Sequence, residues 1–232
     1  MNVLSLDTAT EALCLCARAG DAWASMVVRR GLQHAPALLP LAERLLRDVD
    51  RTAADLDLVV CSIGPGSFTG IRIGIATALG IGHGRGIPVV GVSTLDALGR
   101  QWAAWPGDVL SVIDARRGNI YAARYRGGER QGAYCDLSPS ELAELAATAD
   151  RPFLAGPDAA SIRDLLGPGA AAIPVSETVD PRTAMDIGIE LLQDRGAEAA
   201  YPRPLYLRKS EAERASPGPE AGSRSGTAGG GR

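Results

Sequence analysis

The chain has 232 residues, 46% of them hydrophobic, and a formal net charge of -3. That length can bury one large core or two lobes of about 100 residues each. The slightly acidic balance excludes a protein that grips nucleic acid by its own bulk electrostatics, which takes a basic face.

The start "MNVLSLDTATEALCLCAR" has no basic stretch leading into a long apolar core and a small-residue cleavage site, so it does not read as a signal peptide. No apolar run approaches the ~18 residues of a membrane span, which predicts a cytoplasmic protein with no membrane association. Cys14, Cys16, Cys61 and Cys135 lie in apolar segments without C-x-x-C spacing. Such cysteines read as buried thiols, not as disulfides or a zinc site.

In chain order, "VLSLD" (3–7), "ALCLCAR" (12–18) and "AWASMVV" (22–28) read as three closely connected strands, hence an antiparallel meander. "PALLPLAERLLRDV" (36–49) sets Leu38, Leu41, Leu45 and Val49 at helical spacing, with Pro40 placed in the opening turn. A buried strand (56–63), a glycine-rich loop and helix from residue 64, a strand (88–92) and a helix (94–102) complete a first lobe, residues 1–105.

The theme repeats with strands at 109–115, 120–126 and 132–137. Ser138 then caps a helix, with Pro139 at its first position and Glu141 closing a capping box. A strand (152–156) and helices (159–166 and 181–196) fill out a second lobe, residues 106–208. The pattern predicts a duplicated mixed α/β fold of two lobes. Residues 209–232, poor in apolar residues and rich in Gly, Ser and Pro, read as a disordered tail.

The stretch "GPGSFTGIRIGIATALG" (64–80) carries the strongest local signal. Gly64, Gly66, Ser67 and Thr69 ahead of a helix form the outline of an anion cradle, since unpaired N–H groups and the helix dipole favour negative charge there. Ser67 and Thr69 could equally cap the helix, and the G-K-[ST] ending of a P-loop is missing. Gly70, Gly74, Ala78 and Gly82 recur every four residues, forming a small-residue stripe in which each interior Gly costs about 1 kcal/mol relative to Ala. Close approach by a partner helix would offset that cost, and so would packing on the lobe's own sheet.

"DTAT" places Asp7, Thr8 and Thr10 where a nucleotide-handling turn could use a carboxylate, hydroxyls and backbone N–H groups. No phosphate-clamping lysine accompanies it, and the simpler reading is a turn whose Asp7 and Thr10 bond nearby backbone. His34 has Leu38 four residues on, and His83 lies in a different helix, so no H-x-x-x-H metal pair exists. His34 therefore reads as a helix-end histidine bonded to a backbone carbonyl. Ser67 has no serine-hydrolase context, which leaves a peptidase reading without a nucleophile.

Taken in order, "LSLDTATEA", "HAPALLPLAERLL", "GPGSFTGIRIGIATALG", "VSTLDAL", "IDARRGNIY" and "PLYLRKSEAE" resemble the successive signatures of the TsaB (YeaZ) family. The resemblance implies the two-lobed actin-like fold of acetate and sugar kinases, heat-shock chaperones and actin. It implies a non-catalytic subunit that supports a TsaD-type enzyme forming threonylcarbamoyladenosine in tRNA beside the anticodon, together with a TsaE-type ATPase. It further implies a homodimer when alone, contact with tRNA only through the complex, no cofactor of its own, and any ATP or ADP held at a subunit interface. Because the family's pairing surface is implied to use first-lobe helices, Gly70, Ile71, Gly74, Ala78 and Ile81 become the expected partner contact. By the same resemblance "IDARRGNIY", with Asp114 and Arg116, faces the interlobe cleft, although Asn119 stands where the family has Glu. The competing class is an actin-fold small-molecule kinase using ATP, with a glycoprotease-like peptidase behind it.

Overall fold

A computed structural model describes residues 1–29, 34–199 and 201–207. The expected tail at 209–232 lies outside the described residues.

The first sheet contains β1 (Asn2–Asp7), β2 (Ala12–Ala19), β3 (Ala22–Arg29), β4 (Leu58–Gly64) and β5 (Val89–Ser93), in the order β3-β2-β1-β4-β5. β1 to β3 form the expected antiparallel meander, while β4 and β5 run parallel to β1. Leu58, Val59, Val60 and Cys61 are all buried, the unbroken apolar run of a strand covered on both faces. On one face, α1 (Ala35–Asp48) and α2 (Phe68–Arg85) pack through Leu38, Leu45, Ile71 and Ile75 onto Leu4, Leu6 and Val59. α1 begins one residue earlier than the spacing predicts. That moves Pro40 into the second turn, where the helical bond it forgoes would have gone to the exposed Pro36.

The second sheet joins β6 (Asp108–Asp114), β7 (Ile120–Arg126), β8 (Glu129–Arg130), β10 (Phe153–Ala155) and β11 (Val175–Ser176) in the order β11-β10-β6-β7-β8. The strand expected at 132–137 is broken. β8 and a short β9 (Cys135–Leu137) both pair with β7, and Gly132, at a φ of 95°, turns the chain between them. α4 (Pro139–Ala147) has the full capping box at Ser138 and Glu141, and α5 (Ala159–Leu165) follows β10. Each sheet is thus a meander followed by two parallel strands, the duplicated arrangement of the two-lobed actin-like fold.

One boundary read from sequence is corrected. α6 (Pro181–Ala199) follows the second sheet in sequence but buries Ala184, Met185 and Ile187 against Val3, Leu58, Val60 and Val92 of the first. A Cβ on Gly188 would lie 2.5 Å from the Val60 side chain, so only glycine lets α6 sit this close. Farther on, Leu205 N–H donates to the Ile63 carbonyl at 2.7 Å. α6 and the segment around Leu205 therefore belong with the first lobe, because its sheet has a second apolar face that α1 and α2 do not reach. α3 (Thr94–Arg100) follows β5 and lies between the two sheets.

Candidate functional site

The turns after β1 and after β6 face each other across a cleft of about 330 Å³. Its walls include Thr10 and Glu11, Gly66 to Phe68 at the start of α2, and Asp114, Arg116 and Asp158 from the second lobe.

The first turn spends its polar groups on itself and on the helices beside it. Asp7 is 7% exposed, and its Oδ1 accepts from Ala9 N–H at 2.8 Å. Burial pushes its carboxyl above the ordinary value, against the opposing pull of Ala9 N–H, Ser62 and His34. Thr8 Oγ1 donates to the Gly70 carbonyl at 2.7 Å, and Thr10 Oγ1 accepts from Ala12 N–H at 3.3 Å. Of the three candidates only Thr10 lines the cleft; Asp7 and Thr8 lie behind it. His34, 1% exposed, has Nε2 2.7 Å from the Thr10 carbonyl, the role its sequence position predicts. A carbonyl only accepts, so Nε2 carries the proton. Cys14, Cys16 and Cys61 are buried thiols as expected, while Cys135 is only half-buried.

The glycine loop answers to the same turn. Ser67 N–H donates to the Ala9 carbonyl at 2.6 Å, and a Cβ on Gly66 would overlap that carbonyl. Ser67 Oγ accepts from Gly70 N–H at 3.2 Å and caps α2, whereas Thr69 is exposed. Gly64, at a φ of 96°, would bring a Cβ within 2.6 Å of Ile71. Donors that an anion would need are partly taken up by the protein's own backbone.

The stripe on α2 faces inward, which corrects the expected partner contact. A Cβ on Gly70 would overlap the Thr8 carbonyl, one on Gly74 the Thr8 hydroxyl, and one on Gly82 the Val89 side chain. Ile71 and Ala78 are buried, and Ile81 is half-buried against the same core. Small residues at these positions let α2 lie close on its own sheet; they are not available to another chain. The outward face of α2 carries a second set: Arg72, Ala76, Gly80 and Gly84 are exposed. Phe68 is 43% exposed; the Arg72 guanidinium lies 3.7 Å from its ring centroid and the Tyr206 ring 5.4 Å. On α1, Leu39 is 50% exposed.

The second turn supplies charge. Asp114 Oδ1 accepts from Arg116 N–H at 2.7 Å, and Asp114 N–H donates to Asp158 Oδ2 at 3.1 Å. Arg116 crosses the cleft to Glu11 at 3.1 Å. Burial raises the Asp158 carboxyl against its bond from Asp114 N–H, and the charges of Asp114 and Glu11 raise it further. The sequence signals Asp114 and Arg116 through "IDARRGNIY"; Glu11 and Asp158 carry no motif and become visible only when the two turns meet. Arg116 pairs with Asp114 as well, at 3.5 Å, so its guanidinium matches two of the three carboxylates around this cleft. Among the described residues, no three His, Cys, Asp or Glu gather as a metal set would.

The family described as TsaD, tRNA N6-adenosine threonylcarbamoyltransferase, matches residues 30–180. A protein of Escherichia coli named tRNA threonylcarbamoyladenosine biosynthesis protein TsaB is 30% identical, over 95% of this chain and 100% of that one. An uncharacterised protein of Mycobacterium tuberculosis is 36% identical over 91% of this chain and 94% of its own length. The solved structure of YeaZ from Pseudomonas aeruginosa superposes with a TM-score of 0.73 at 26% identity, covering 89% of this chain and 99% of that one.

Proposed function

The chain belongs to the TsaB (YeaZ) family, and we propose that it serves as a non-catalytic subunit in forming threonylcarbamoyladenosine in tRNA, paired with a TsaD-type catalytic subunit. The observation that carries this reading is the 30% identity, end to end, with a protein named for that pathway. The non-catalytic part is supported by Asp7. A carboxylate at the end of β1 that served phosphate chemistry would need to reach the cleft, and this one is buried and bonded to its own turn.

The outward faces of α1 and α2 are the partner surface in this reading. They coat the same sheet face and present Leu39, Phe68, Ala76 and Gly80, where small and apolar residues permit close helix approach. A TsaE-type ATPase completes the assembly, tRNA is reached through the complex, and the isolated chain pairs with itself through the same faces. Any ATP or ADP sits where subunits meet, since the backbone donors of the chain's own turns are partly bonded within the protein, Ala9 N–H to Asp7, Ser67 N–H to Ala9 and Gly70 N–H to Ser67. The setting is the cytoplasm.

The test is reconstitution with TsaD-type and TsaE-type subunits, tRNA and threonylcarbamoyl-adenylate. Modified adenosine should form with the full set and fall to background when this chain is omitted. Transfer by this chain alone would reject the non-catalytic role, and ATP-dependent phosphorylation of a small molecule by the lone chain would favour the kinase reading.

A further inference from the structure

Asp96 stands at the junction of the two lobes. It lies on α3, which follows β5 without a break and is wedged between the sheets: Ala97 packs with Val90 and Val92 of the first, while Leu95 and Leu98 are buried among Val109, Ile113 and Ala123 of the second. Its side chain points at the second. Oδ1 accepts from the Tyr125 hydroxyl at 2.6 Å, Oδ2 accepts from the Tyr134 hydroxyl at 2.6 Å, and Arg130 Nε lies 3.5 Å from Oδ1. Both carboxylate oxygens are thus held by charge-assisted bonds from the other lobe, the short and strong class.

The surroundings reinforce the arrangement. Tyr125, on β7, is 1% exposed, and a Cβ on Gly99 would overlap its ring, so α3 and β7 are in direct contact along the helix. The Arg130 guanidinium lies 4.1 Å from the centroid of the Tyr134 ring. Burial, with Asp96 beside them, pushes the Tyr125 hydroxyl far above its ordinary value and the Tyr134 hydroxyl up to about 12. Both phenols therefore stay protonated donors across the physiological range. At the far end of α3, Arg100 pairs with Glu190 of α6 at 2.8 Å.

By contrast, the ion pair from Glu11 to Arg116 across the cleft joins two side chains that are more than half exposed. An exposed pair of that kind holds little.

We propose that the Asp96 carboxylate and the Tyr125 and Tyr134 phenols form a bolt that fixes the angle between the two lobes. The cleft then keeps one width whether or not a nucleotide is present, and the chain presents its partners with a preset shape. This goes beyond membership of an assembly, because it concerns the isolated subunit and would hold with or without a partner.

The test measures an interlobe distance in the full chain. Nitroxide labels are placed at Arg47→Cys on α1 and Asp164→Cys on α5, both exposed, in a Cys135→Ser background, and distances are read by double electron–electron resonance with and without ATP and magnesium. A single narrow distribution, unmoved by nucleotide, is expected. Asp96→Ala should broaden it by about twofold, as a hinge regains alternative angles. Tyr134→Phe, at a half-buried site that tolerates loss of a hydroxyl, should broaden it less and serves if Asp96→Ala fails to fold. A distribution that is already broad in the parent chain, one that shifts with nucleotide, or one left unchanged in the folded variants would overturn the proposal.

Discussion

Asp7 and Asp108 are both buried carboxylates whose surroundings drive them in opposite directions. At Asp108, burial alone would raise the carboxyl, but Arg126, Arg124 and the Asp150 N–H all donate to it and hold it down at about 2. A depressed carboxyl contributes stability that is present above its unfolded value, near 3.8, and lost as pH falls through the folded one. Melting temperature should therefore drop between pH 4 and pH 2, and Asp108→Asn should flatten that drop. The same variant should cost about 3 kcal/mol at pH 7 by uncoupling a buried charge network, read from denaturant melts. Asp7 runs the other way. Its raised carboxyl contributes stability that is full below 3.8 and lost as pH rises through the folded value. Asp7→Asn keeps an acceptor oxygen for Ala9 N–H without the buried charge, so its melting temperature at pH 7 should equal or exceed that of the parent. A clear fall would mean that the charge itself has a use in the free chain.

At the scale of elements, α2 has two faces with opposite requirements. Gly70 sits where an added methyl would meet a backbone carbonyl, that of Thr8, which cannot turn aside as a side chain can. Gly70→Ala should cost about 3 kcal/mol by overpacking the α2–β1 contact, seen as a lowered midpoint in urea. Gly80, with open space around its would-be Cβ, behaves as an ordinary helix-interior glycine. Gly80→Ala should stabilise the fold by about 1 kcal/mol through helix propensity, or about 2 to 4 °C in Tm for a chain of this size. The two substitutions differ only in which side of one helix they occupy. If both destabilise equally, the inward packing of the stripe is not what the glycines serve.

For the whole molecule, pairing should depend on the outward surface and not on the inward stripe. Gly80→Leu and Leu39→Glu place bulk and charge on exposed faces of α2 and α1, so each should leave circular dichroism unchanged and neither should lower the melting temperature appreciably. Sedimentation or pull-down with a TsaD-type subunit should then show association weakened by about tenfold or more, the scale of a loss near an interface centre. Gly74→Leu makes the contrast, since it should unfold the chain through Thr8 before any partner is added. If Gly80→Leu and Leu39→Glu both associate normally, the partner surface lies elsewhere.

Local order in this chain is written in local signals. Meanders, the Ser138 capping box and the alternation that marks two lobes all depend on residues a few positions apart, and all are legible; that His34 bonds a carbonyl is legible too, but not that the carbonyl is Thr10's, 24 residues away. The i, i+4 recurrence of Gly70, Gly74 and Ala78 was equally plain, but spacing says only that one face of a helix is small. Which way that face points depends on Thr8, 62 residues before Gly70, and no periodicity within α2 records it. The same holds for Glu11 and Asp158 across the cleft, for Asp96 and its two tyrosines, and for α6, which leaves the second lobe to cover the first sheet. Each is decided when surfaces distant in sequence compete for burial, and that competition is resolved only by packing.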